Sequence, residues 1–168
     1  KYYDDKNPNH VAAVQWLEDN LPEKFLDDSQ CDWVSIFRTA PPAPAVLDVP
    51  YFNQVDNYRD AHRTCNSSSC AMCLAFLKPG SIKGDDEYVK KVFAIGDTTD
   101  HSVQTKVLAG YGVKSHFSYN LSFADIDKSL DRGKPVVIGI LHRGSLSAPT
   151  GGHMCVVIGK TPDGKGYY

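Results

Sequence analysis

Apolar residues recur at helical spacing through most of the chain and shift to strand-like runs near its end. Asn7-Pro8 offers an N-cap and a proline at the first helical position, and Val11, Val14 and Leu17 follow at helical intervals. Pro22 opens a second helical stretch through Phe25, Leu26, Trp33, Ile36 and Phe37, which ends before the stiff, extended run Ala40-Pro41-Pro42-Ala43-Pro44. From Asn66 to Lys78 the residues Cys70, Cys73, Leu74 and Leu77 fall at i, i+3, i+4 and i+7, one face of a helix that Lys78-Pro79-Gly80 breaks. Cys65 therefore stands at the start of a buried helix. Further helices are predicted over Asp85 to Phe93, Ser102 to Ala109 before Gly110, and Ser122 to Asp131 before Gly133. Val113 to Tyr119, Pro135 to His142, His153 to Lys160 and Gly166 to Tyr168 read as strands, with Thr161-Pro162-Asp163-Gly164 as a hairpin turn. Helices first and an antiparallel sheet last predict an α+β fold in which the two kinds of element are segregated.

The pattern divides the chain into a helical appendage over 1–39, a proline-rich linker over 40–45 and a chemical domain over 46–168. With 168 residues and 42% hydrophobic content there is apolar material for one compact core. A formal net charge of -2 excludes a global field that would draw nucleic acid or an anionic membrane surface. The longest apolar stretches, such as Pro135 to Leu141, are far shorter than a membrane span, so a soluble domain is expected. Five cysteines make an odd number for a disulfide framework and favour a reducing compartment. The chain begins at Lys1 without an initiator methionine and stops at Tyr168 inside an expected strand, so excision from a longer chain is expected.

Chemistry narrows to a few positions. A thiol is a useful nucleophile only as thiolate, and the free N–H groups and dipole of a helix start favour the anion. Cys65 occupies such a start, although a small buried hydrophobe is the common fate of a free cysteine and stands as the alternative. Gln54, eleven residues upstream, carries a side-chain amide able to serve as an oxyanion donor. His153 follows Gly151-Gly152 and opens the strand Met154 to Ile158, a rigid mount for a general base beside a backbone that a substrate can approach closely. Asn66 and Gly152, adjacent to these two residues, are the expected substrate contacts. The other histidines, His10, His62, His101, His116 and His142, lack flanking glycines and read as surface or core residues. Cys70 and Cys73 have a metal or redox spacing, but they lie where the helix needs apolar side chains, so core packing is expected and no metal. Asp85-Asp86-Glu87 reads as a charged helix start, and Asp97 to Asp100 as a loop with a cap.

Three ordered segments resemble the papain-like cysteine peptidases typified by the bacteriocin-processing double-glycine leader peptidases and their soluble bacterial and phage relatives. Val49-Pro50-Tyr51-Phe52-Asn53-Gln54 resembles the strand that ends in the family's oxyanion glutamine. Cys65-Asn66-Ser67-Ser68-Ser69-Cys70-Ala71-Met72 is similar to the nucleophile helix, commonly Cys-Gly-Pro-x-Ser-x-Ala-Met, with Asn66-Ser67 in place of Gly-Pro. Gly133-Lys134-Pro135-Val136-Val137, leading through a loop to Gly151-Gly152-His153-Met154, resembles the strand and base motif.

The resemblance implies a papain-like fold, a Cys65 nucleophile, a His153 base and a Gln54 oxyanion donor, with no cofactor. It also implies a third catalytic residue, usually Asp, a strand and a turn after the histidine. That position falls a few residues beyond Tyr168, while Asp163 fits the turn. A soluble member with added helices suggests cleavage of peptidoglycan peptides in the manner of a phage endolysin, with Trp16 and Trp33 of the appendage either aiding wall binding or packing onto the catalytic domain. The alternatives are a leader-processing or general peptidase, a non-catalytic binding module, and a zinc protein using Cys65, Cys70, Cys73 and Cys155.

Overall fold

In the computed structural model, residues 46–168 are described; the expected helices of the appendage and the proline run lie outside them. Val46–Gly159 together with Tyr168 forms one compact unit, while Lys160–Tyr167 belongs to a second and is described by itself. The first unit is α+β: helices precede a small antiparallel sheet, and the first helix packs on it.

Helix α1 runs Cys65–Leu77, α2 Asp85–Ile95, α3 His101–Gly110 and α4 Phe123–Leu130, each within two residues of its predicted bounds. Their ends follow local chemistry. The Asp100 carboxylate accepts the Ser102 N–H at 2.7 Å and caps α3. Ser122 and Asp125 form a reciprocal capping box that starts α4. Gly96 closes α2, its N–H donating to the Val92 carbonyl at 2.9 Å.

The core lies among α1, α2 and α3. Cys70, Ala71 and Leu74 from α1 meet Tyr88 and Val92 from α2 and Val103, Val107 and Leu108 from α3. Leu77, expected on the same buried face, is exposed at the C-terminal end of α1. Cys70 and Cys73 pack as core residues. Burial pushes the Cys70 thiol up to about 12 and raises Cys73 further, with Cys70 as the second cause, so both stay protonated at neutral pH.

Strands β1 (Val136–Ser145) and β2 (Ala148–Val157) form a two-stranded ribbon closed by Leu146-Ser147. This corrects the expected loop between His142 and Gly151. Gly144 and Gly151, which read as loop punctuation, have φ of 81° and 71° and let the ribbon continue. A Cβ at Gly144 would strike the Ala148 carbonyl oxygen across the hairpin. His153 accordingly sits inside β2, opposite Ile140, and does not open the strand.

Two expected strands are absent from the described residues. Val113 to Tyr119 has the alternation of a strand but pairs with no other: Val113 N–H donates back to the Leu108 carbonyl, Phe117 stacks on His101 with ring centres 3.7 Å apart, and Tyr119 meets Phe117 edge-on. Val49 to Gln54 carries no ladder either; Pro50 has no N–H to donate, and Gln54 begins a single 3-10 turn. Within Lys160–Tyr167 the expected turn is present, with Thr161 N–H donating to the Gly166 carbonyl at 2.9 Å, but the flanking strands reduce to one bridge between Lys160 and Tyr167. Asp163 serves that turn, accepting from the Thr161 hydroxyl and the Lys165 N–H.

Candidate active site

The path into α1 fixes where Cys65 stands. Asp60 takes a left-handed backbone (φ 48°), a 3-10 turn follows over Ala61–Arg63, and Thr64 precedes the helix. Thr64 would be a natural N-cap, yet its hydroxyl donates to the Ala61 carbonyl at 2.9 Å and accepts from the Asn57 amide at 2.9 Å. No side chain caps α1 at Thr64, so the partial positive charge of the helix start is directed at whatever lies beside Cys65.

Beneath Cys65 the first turn of α1 is polar and buried. Asn66, Ser67, Ser68 and Ser69 are each at most 3% exposed. The second N–H of the Asn57 amide reaches Ser68 Oγ at 2.9 Å, and Ser68 donates to the Asp85 carboxylate at 2.6 Å. Asp85 itself begins α2, where the helix dipole favours its negative charge. Ser67 lies 2.6 Å from Thr98 Oγ1 and accepts from Gln104 at 2.9 Å; Gln104 also donates to the Thr98 carbonyl. Asn66 lies 3.2 Å from His101 Nδ1 and accepts weakly from the Cys70 thiol. Each contact satisfies a buried polar atom, and together they fix α1 against the starts of α2 and α3.

The ribbon supplies the facing side. Ser69 Oγ donates to the Met154 carbonyl at 3.3 Å and ties α1 to β2 next to His153. The Gln54 amide donates to the Ala61 carbonyl at 3.0 Å, which orients the side chain and leaves its second N–H available.

Cys65, His153 and Gln54 line one cavity of about 350 Å³. Val49, Tyr51, Phe52 and Met72 give it apolar walls, and Asn53, Ser68 and Ser69 give it polar ones. The expected substrate contacts do not line it: Asn66 is buried in the first turn of α1 with its amide engaged by His101, and Gly152 is exposed on β2 beside His153. Among the described residues no carboxylate lines the cavity and none hydrogen-bonds the His153 imidazole. The His142 ring stands 5.4 Å from that of His153, centre to centre, and its Nε2 accepts from Arg143 at 3.2 Å.

Sequence reasoning set His142 aside as a surface or core residue and weighed Cys155 only as a zinc ligand. Both share a strand face with the motif residue: Cys155 is two positions from His153 along β2, and His142 is two positions from its register partner Ile140 along β1. Alternation counted outward from His153 finds Cys155; His142 requires the register.

The family model described as the Peptidase_C39 like family matches residues 46–168, most of the chain. No curated protein and no solved structure matches it. Among the described residues no helix is long and apolar enough to cross a membrane.

Proposed function

The chain belongs to the Peptidase_C39 like family, and from that premise we propose that it is a cysteine peptidase in which Cys65 attacks a peptide carbonyl and His153 moves the proton. The observation that carries the proposal is the convergence of Cys65, His153 and Gln54 on one cavity from three separate segments of the chain.

His153 accepts the Cys65 proton, and the sulfur attacks the carbonyl carbon. The free N–H of the Gln54 amide and the Cys65 backbone N–H receive the oxyanion, in a field already positive from the uncapped helix start. The protonated imidazole returns its proton to the departing amine. Water, deprotonated by His153, then cleaves the thioester.

The apolar cavity walls and the family match favour a peptide substrate. Cleavage of peptidoglycan peptides is the narrower form of the same proposal. Incubation with a peptide library and with purified peptidoglycan, wild type beside Cys65→Ala and His153→Ala, separates them through mass spectrometry of the new termini. Wild type is expected to cut peptides, and each variant to lose about a thousandfold or more in rate. Cutting of wall peptides alone identifies the narrower substrate. No cleavage of either, with a Cys65 thiol that iodoacetamide alkylates slowly, overturns the peptidase. A non-catalytic binding module is then the reading to take up.

A further inference from the structure

The cavity holds a second thiol that peptide hydrolysis does not use. Cys155 lines it together with Cys65, both sulfurs are free, and both residues are partly exposed, in contrast to the buried Cys70 and Cys73. The two come from different elements, the start of α1 and the C-terminal part of β2, which Ser69 and Met154 hold together. We propose that Cys155 is the resolving thiol for Cys65, so that peroxide converts the pair into a disulfide that switches the site off reversibly.

The chemistry closes in two steps. The Cys65 thiolate attacks one oxygen of hydrogen peroxide, the O–O bond breaks, hydroxide leaves, and the sulfur becomes a sulfenic acid. The Cys155 sulfur then attacks Cys65 Sγ, the S–S bond forms, the S–O bond breaks, and the departing hydroxide takes up the Cys155 proton as water. A dithiol such as dithiothreitol reverses the product.

Partial burial raises the Cys155 thiol, and negative charge on Cys65 raises it further. Both causes hold Cys155 toward the protonated thiol beside the working nucleophile. Buried thiols kept protonated are poor competitors for the sulfenic acid, which disfavours Cys70 and Cys73 as partners.

The inference rests on reading Cys65 as the reactive thiol, and its test needs no substrate. The protein is treated with a several-fold molar excess of hydrogen peroxide and digested without reduction, and linked peptides are sequenced by mass spectrometry. Cys65 alkylation by iodoacetamide is followed before oxidation, after it, and after dithiothreitol. The expected result is a Cys65–Cys155 peptide pair, loss of Cys65 alkylation, and its return on reduction. In Cys155→Ala the same dose is expected to carry Cys65 to sulfinic acid, with most of the alkylation not recovered. Rapid alkylation of Cys65 with no Cys65–Cys155 pair, or a pair with any other cysteine, overturns the switch and leaves the peptidase standing. Slow alkylation with no pair overturns the switch and, where neither peptides nor peptidoglycan are cut, the peptidase as well.

Discussion

The helical layer and the β ribbon contribute opposite halves of the candidate site and are built to different standards. In the helical layer Leu74, Tyr88, Val89 and Val92 are completely buried, and the polar residues around Cys65 are hydrogen-bonded inside it. Of the ribbon's residues only Val157 is buried, and β1 is exposed from Gly139 to its end. Cys65 is thus mounted on the part of the unit that opens last, and His153 on a part whose opening costs less. On the proposed reading, a peptide fitted between them is expected to adjust mainly the ribbon.

The contrast can be broken most severely from the helical side. Leu74→Ala is expected to cost about 2–5 kcal/mol by leaving a void in the core, whereas Leu146→Ala at the ribbon tip changes stability by less than about 0.5 kcal/mol. Urea unfolding of the two variants measures the difference, and equal costs would refute it. Next in size, Asp85→Ala leaves the buried Ser68 hydroxyl without its acceptor, at about 1–3 kcal/mol. Because Ser68 stands one turn into α1, this variant is also expected to slow Cys65 alkylation several-fold relative to Leu146→Ala. A stability loss with unchanged alkylation would restrict the network to holding the fold.

From the ribbon side, Gly144→Ala places a Cβ against the Ala148 carbonyl in a left-handed backbone, at about 1–2 kcal/mol. Hydrogen exchange is expected to speed up in β1 and β2 and to stay unchanged in α1 and α2. Uniform acceleration would show that the two regions open together.

The smallest effect is acid sensitivity in the loop before α3. Hydrogen bonds from the Thr99 hydroxyl and N–H, then the Arg63 guanidinium, hold the Asp97 carboxyl below its usual range. A carboxyl more acidic in the folded than in the unfolded chain stabilises the fold above its unfolded pKa, and that contribution is lost as pH falls through the folded value. Asp97→Asn is therefore expected to show a shallower drop in melting temperature between neutral and strongly acidic pH. Both residues are exposed, so the ion pair with Arg63 adds little to this.

The helices were legible because period and punctuation coincide: Pro79-Gly80 after α1, Gly110 at the end of α3, and Asp100 and Ser122 at helix starts. The ribbon was not. Gly144 and Gly151 carry the composition of a loop and the conformation of a twisted hairpin, and the sequence does not distinguish the two. Alternation from Val113 to Tyr119 reported which side chains meet neighbours, not which backbone finds a partner. In the site, a helix start and a Gly-Gly-His motif were enough to single out Cys65 and His153, which line the same cavity. The polar contacts around Cys65 were hidden because they join positions far apart, 31 residues for Ser67 with Thr98 and 35 for Asn66 with His101. Single residues such as Thr98 or Gln104 carry no local sign of such partnership.

The pair Asn66-Ser67 has a consequence for grafting. A Gly-Pro pair after the cysteine, the motif this helix resembles, has no side chain that can hold Thr98, His101 or Gln104. In this chain the five positions are matched by hydrogen bonds, Asn66 with His101 and Ser67 with Thr98 and Gln104. Transplanting an α1 segment with Gly-Pro alone would strand an N–H of the Gln104 amide in the interior, whereas moving all five together would preserve the match.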